Sequence, residues 1–150
     1  MPHVHVRLAQ KAADLIGALP AVGGDVTVGT GFAAFPHQGA TADVAVMRDR
    51  SIRWNANAAP ADTILERAIQ LQVTLAAQVP LQMTSEAFGE VVAGVENAVA
   101  GADLTDMADD WFLADTQYRY AQDGESQTTG CLLTFLVTTR TPATDAGRTL

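Results

Sequence analysis

The stretch that most constrains this 150-residue chain runs from Ile69 to Leu75. Ile69, Leu71, Val73 and Leu75 alternate there with Gln70, Gln72 and Thr74. Successive strand side chains point to opposite faces, so a period of two over seven residues marks a half-buried strand. Its start is expected near Ile64. A strand with one apolar face needs neighbouring strands and a covering layer, and the rest of the chain has to provide both.

Further strands are legible on both sides of it. Cys131, Leu133, Phe135 and Val137 share one face of a second alternating run, while Leu132 and Leu136 make its other face partly apolar. That pattern predicts a central strand, or an outer face covered by something else. Thr116–Tyr120 reads as its hairpin partner, with turn chemistry in Asp123-Gly124-Glu125-Ser126. Asp43–Met47 reads as an interior strand, and Asp25–Val28 as a short one ended by Gly29 and Gly31.

Two helices supply the covering layer. Val4, Leu8, Ala12, Leu15, Ile16 and Leu19 form one apolar stripe, stopped by Pro20 and the glycines at 23 and 24. Phe88, Val91, Val92, Val95, Ala98 and Val99 form another, capped at Thr84 or Ser85 and closed by Gly101. The expected fold is α+β in the order αβββαββ, a mostly antiparallel sheet of about five strands with both helices on one face. Residues 1–142 are expected to form one domain with a long connection at about 48–63. Residues 143–150 read as a flexible tail unless a partner orders them.

Charge narrows the function classes. Residues 1–83 are neutral, with six acids against six bases, while residues 84–150 hold eleven acids and three bases and carry the whole net charge of −8. Tight nucleic-acid binding requires a basic stripe, which this distribution opposes. One cysteine excludes a disulfide framework and a thiolate zinc site. No run approaches the apolar length of a membrane span, so no membrane partner is expected.

Candidate chemistry is sparse. His3 and His5 are two residues apart, which on a helix places them on different faces, and only His37 is left to join them. No metal site is expected there. Asp103, Asp106, Asp109 and Asp110 lack the spacing, glycine and terminal Glu of a calcium loop and read as a solvated connector. Gly29-Thr30-Gly31 completes no phosphate-binding fingerprint, and no cofactor is expected. Cys131 lies on an apolar strand face and reads as core, not nucleophile. No catalytic constellation emerges, so the chain is read as a non-enzyme. Two features exceed the needs of a plain monomer. One is the basic, aromatic run Arg48, Arg50, Arg53 and Trp54, of residue types common at interface hot spots, and the other is the doubly apolar last strand.

At the C-terminal end Asp123-Gly124-Glu125-Ser126-Gln127, then Gly130, Leu132, Thr134, Phe135 and Val137, and finally Arg140-Thr141-Pro142, resembles the signature of phage tail terminator proteins. Upstream, Glu66-Arg67 through Leu75 is similar to that family's middle strand, Ser85–Ala100 to its second helix, and Asp103-Leu104 to a leucine-bearing connector. The resemblance spans residues 64–142, with the layout of residues 1–50 compatible. Residues 48–62 have no family counterpart, and Trp111-Phe112 is bulkier than the family pattern.

The resemblance implies a structural virion protein that forms a ring, typically a hexamer, on the head-proximal end of the tail tube. It assembles in the host cytoplasm, stops tube growth and presents a surface to the head–tail connector, and DNA passes through without specific binding. Its partners would be itself, the tail-tube protein and the connector. Under that reading Arg48, Arg50, Arg53 and Trp54 would meet Asp103, Asp106, Asp109 and Asp110 across the subunit boundary, with Arg140 also at the interface. Glu86, Glu90, Asp115, Asp123 and Glu125 would line the lumen, where like charge repels passing DNA. Two other readings stay open: another neck or tail-completion protein, and a monomeric α+β binding domain or small enzyme with a concave pocket.

Overall fold

The computed structural model describes residues 2–20, 22–29, 40–79, 83–123 and 126–150. The chain runs α1 (Val4–Gly17), β1 (Val22–Val28), β2 (Ala40–Arg53), a 3-10 turn (Pro60–Asp62), β3 (Ile64–Val79), α2 (Ser85–Ala100), β4 (Asp110–Asp123) and β5 (Ser126–Pro142). One sheet contains all five strands in the order β1-β2-β3-β5-β4. β2–β3, β3–β5 and β5–β4 are antiparallel, and β1–β2 is parallel. The fold is therefore α+β on a mixed, mostly antiparallel sheet. A tight turn joins antiparallel neighbours but not parallel ones. Eleven residues separate Val28 of β1 from Ala40 of β2, against two between Asp123 of β4 and Ser126 of β5.

The period-two stretch lies in the middle of this sheet. Leu71 pairs with Phe135, Val73 with Leu133 and Leu75 with Cys131, so the inward side chains of β3 and β5 make one apolar surface. All six are buried. Ala9, Ala12, Ala13 and Ile16 of α1 pack into the same cluster as Phe88, Val91, Val92, Val95 and Val99 of α2. Each fully buried Leu, Val or Phe contributes roughly 1.5–3 kcal/mol, so this seam is the main source of cohesion. A second cluster of Val4, Leu8, Ile69, Leu104, Met107, Ala108 and Val137 extends the core beneath the start of α1. Trp111 packs against it and donates its ring N–H to Ala100 O at 3.2 Å. The Thr84 hydroxyl caps α2 by accepting from Ala87 N at 3.1 Å, and the Gly101 N–H returns to Asn97 O at the other end.

Two β-bulges explain why the strands outrun their sequence patterns. In β2, Val46 pairs with Leu71 and Arg48 with Gln70, which leaves Met47 as the extra residue. In β4, Leu113 pairs with Phe135 and Asp115 with Thr134, which leaves Ala114 extra. A bulge reverses the in–out alternation of everything beyond it. Arg48–Arg53, read as connection, is therefore strand, and the connection shrinks to Trp54–Thr63. Its turn is closed by Trp54 N to Ile64 O at 2.8 Å and Ile64 N to Asn55 Oδ1 at 2.7 Å.

Residues 143–150, expected to be a flexible tail, are set against the body. Ala143 N donates to Thr63 O, Val4 N to Ala146 O, and Leu150 N to Arg140 O, each within 3.0 Å. Arg7 Nη1 donates to Gly147 O at 2.8 Å, and Thr149 Oγ1 to Asp106 O at 2.6 Å. These contacts are mostly main-chain, so no side-chain pattern announces them.

Candidate functional site

The helices occupy the inward face of the sheet, and among the described residues none covers the outward face of β3, β5 and β4. In register across that face lie Gln70, Leu136 and Phe112, then Gln72, Thr134 and Asp115, then Thr74, Leu132 and Gln117. Phe112 is 47% exposed. β5 is thus central, yet its outward leucines are only partly covered, which accounts for a strand apolar on both faces.

Charge is unequal across this face. Arg48 and Arg50 stand on β2 in register with Gln70 and Ala68, whereas Asp110 and Asp115 stand on β4 in register with Thr138 and Thr134. Three strand spacings separate β2 from β4, about 14 Å. The pairing of β1 with β2 ends at Val28 and Val44, so Arg48–Arg53 form a free sheet edge among the described residues. The far edge is β4. Charges and bulges on both edges also protect them from indiscriminate strand pairing.

The proposed interface residues divide. Arg140 already contacts both Asp109 and Trp54 within the chain. Arg140 Nε donates to Asp109 Oδ2 at 3.0 Å, and its guanidinium sits 5.0 Å from the Trp54 ring centroid. Arg53 Nη1 donates to Ala56 O within its own turn. Asp103 accepts from the Thr105 hydroxyl at 2.7 Å and the Thr105 N–H at 3.2 Å, which hold its carboxyl below the usual carboxylate range. Asp106 and Asp110 are exposed. The lumen candidates do not form one surface. Glu86 and Glu90 are exposed on α2, on the helical side, while Asp115 faces outward from β4. Asp123 ends β4, and Glu125 lies outside the described residues.

A cluster that the spacing argument dismissed is brought together instead. His3 lies outside the helix as its N-cap (φ −54°, ψ 142°), and its Nδ1 accepts from His5 N at 3.2 Å. Helical geometry therefore does not separate the two rings, which stack with centroids 3.8 Å apart. The Met47 bulge turns Asp49 inward to meet them. Asp49 Oδ2 lies 3.2 Å from His5 Nδ1, 3.8 Å from His3 Nε2 and 3.1 Å from Arg67 Nη1. Arg67 Nε also donates to Thr141 Oγ1 at 2.8 Å. Asp49 Oδ1 is buried with no hydrogen-bond partner. Burial lowers the pKa of His3, helped by the nearby His5 and Arg67 and opposed by Asp49. In sequence, Asp49 is hidden between two arginines, and only the bulge reveals its direction.

Other chemistry is muted. Cys131 is fully buried, and desolvation, with Glu96 adding to it, pushes its thiol up to about 11. A thiol so rarely ionised is a poor nucleophile. A cleft of about 400 Å³ lies between the end of α1 and the start of α2, lined by Leu19, Pro20, Val22, Met83 and Val91, with Glu90 its charged group. That lining is apolar and lacks the convergent polar groups of a small-molecule site. No protein-family model matches the chain, and no curated protein matches it.

Proposed function

We propose that the chain is the ring-forming subunit of a phage tail terminator, a non-enzymatic virion protein that caps the head-proximal end of a tail tube and presents the head-joining surface. The observation that carries this reading is the outward sheet face. It sets Phe112, Leu132 and Leu136 among threonines, with arginines on the β2 side and aspartates on the β4 side. Part-exposed apolar side chains set in a polar surround, with Phe112 the most open of the three, suit an interaction site. A ring grows by heterologous contacts, in which one patch meets a different patch on the neighbour. A subunit basic on one side and acidic on the other suits that geometry, and it offsets part of the repulsion among copies that each carry −8.

The resemblance supports the same reading, because residues 64–142 span β3, α2, β4 and β5, the elements that build this face. The coarse class is compatible with it: α+β, with two helices on a five-stranded, mostly antiparallel sheet, to which a 3-10 turn and a parallel β1–β2 pair are added. In the ring, Asp115 belongs to the contact side. Glu86 and Glu90, across the sheet from it, line the lumen, where negative charge lets DNA pass without being held. The tail-tube protein and the head–tail connector are the partners on the two rims.

Native mass spectrometry and electron microscopy test this, on the purified chain alone and with tail-tube protein. Rings, or tubes capped at one end, are expected. Arg48→Glu with Arg50→Glu should shift the population toward monomers at low salt, where unscreened charges matter most. A chain that stays monomeric and leaves tube growth unchanged would overturn the proposal.

A further inference from the structure

We propose that His3, His5 and Asp49 form a binding site for a divalent transition-metal ion of the zinc type, which pins the first turn of α1 to β2. Each side chain offers one ligand atom, and the three atoms lie within 4.8 Å of one another. Among the described residues this is the one group of three metal-ligating side chains so close together. Ligands held about 2.0–2.1 Å from a tetrahedral ion stand about 3.3 Å apart. The His5–Asp49 separation of 3.2 Å already meets that, and the 3.8 Å from His3 Nε2 needs a small ring movement. Two imidazoles and one carboxylate are the donor set of zinc sites that keep an open position for water. Hard cations such as Ca²⁺ and Mg²⁺ select oxygen donors and fit this set poorly.

Three further observations point the same way. Asp49 Oδ1 is buried without a partner, and a cation held by both carboxylate oxygens would satisfy it. The two rings stack with centroids 3.8 Å apart, so both imidazoles stand beside the same carboxylate. Arg67 donates at 3.1 Å to Oδ2, the oxygen that faces both histidines, and so holds the carboxylate in its orientation. Two features keep the site weaker than a closed structural zinc centre. The charge of Arg67 opposes the cation, and coordination through His3 Nε2 moves that ring's proton to Nδ1 and ends the 3.2 Å bond from His5 N. The proposal does not rest on ring formation: His3, His5 and Asp49 all belong to one chain, although Asp49 lies on β2 between the two arginines placed at the ring contact.

The experiment titrates Zn²⁺ alone into the tag-free full chain, with calorimetry and ¹⁵N spectra of the histidine rings. One equivalent should bind, shifting the ring nitrogens of His3 and His5 and leaving those of His37 unmoved. His5→Gln and Asp49→Asn should each weaken binding by about 100-fold, the upper end of what even outer-contact changes cause. Ring nitrogens of His3 and His5 that do not move at millimolar Zn²⁺ would overturn the proposal, as would variants that bind as tightly as the parent. The ring spectra need no variant, so a variant that failed to fold would not spare the idea.

Discussion

Leu133 and Leu136 lie three residues apart on β5 and face opposite ways, which lets two alanine substitutions separate the core from the outward face. Leu133 is fully buried, in register with Val73 and Thr116 and packed in the cluster that α2 closes. Truncation there loses transfer free energy and leaves a cavity, together about 2–5 kcal/mol. For a domain of this size each kcal/mol moves the melting midpoint by about 2–4 °C, so Leu133→Ala should melt about 4–20 °C lower. Leu136 is partly exposed and encloses no space, so Leu136→Ala should cost about 1 kcal/mol from lost area alone. Urea titrations in dilute solution measure both, and an unchanged slope confirms that only stability moved. A third variant, Leu136→Asp, places a charge in the middle of the outward face. It should stay folded while losing the rise of melting midpoint with concentration expected of the parent if the proposed ring forms. Equal costs for the two alanine variants in the dilute monomer would refute the reasoning, as would normal assembly of Leu136→Asp.

Three further outcomes follow from individual contacts. Arg140→Met removes the bond to Asp109 and the contact over Trp54, both part-exposed; stability should fall by about 1 kcal/mol or less, with a change in tryptophan emission. Thr84→Ala removes the acceptor for Ala87 N–H and should lower the unfolding free energy by about 1 kcal/mol in urea titration, with Thr84→Ser restoring most of it. Cys131 should resist a thiol-exchange reagent at pH 8 and react only as the chain unfolds. Because its folded pKa is raised to about 11 from 9.0, the folded state keeps the proton longer, so stability is intact below pH 9 and falls as pH rises toward 11. Cys131→Ala should remove that alkaline loss in melting curves taken across the window.

Legibility tracked periodicity. β3, the inward face of β5 and both helical stripes were readable because uninterrupted patterns of two or about four residues reflect faces that must be buried. Where a bulge intervened the pattern failed: beyond Met47 the apolar face of β2 switches sides, and Arg48–Arg53 looked like a loop although it pairs with β3 through Leu65. The same happened before Thr116, where Trp111, Phe112, Leu113 and Ala114 are consecutive apolar residues split between two faces around a bulge. The docked C-terminal segment was invisible because its bonds are mostly main-chain.

The candidate sites divide along the same line. The unequal charge of the two halves and the presence of Arg48, Arg50, Asp110 and Asp115 are properties of composition, readable without any coordinates. That two arginines and two aspartates share one outward face at opposite sides depends on strand order, which local propensity does not encode. The gathering of His3, His5, Asp49 and Arg67 depends on more still: a cap residue outside the helix, one bulge in β2 and the register of β3. Local sequence determines which residues seek burial and how each short element repeats. Only tertiary pairing decides which distant polar groups meet, because a one-residue shift in register sends every side chain beyond it to the other face.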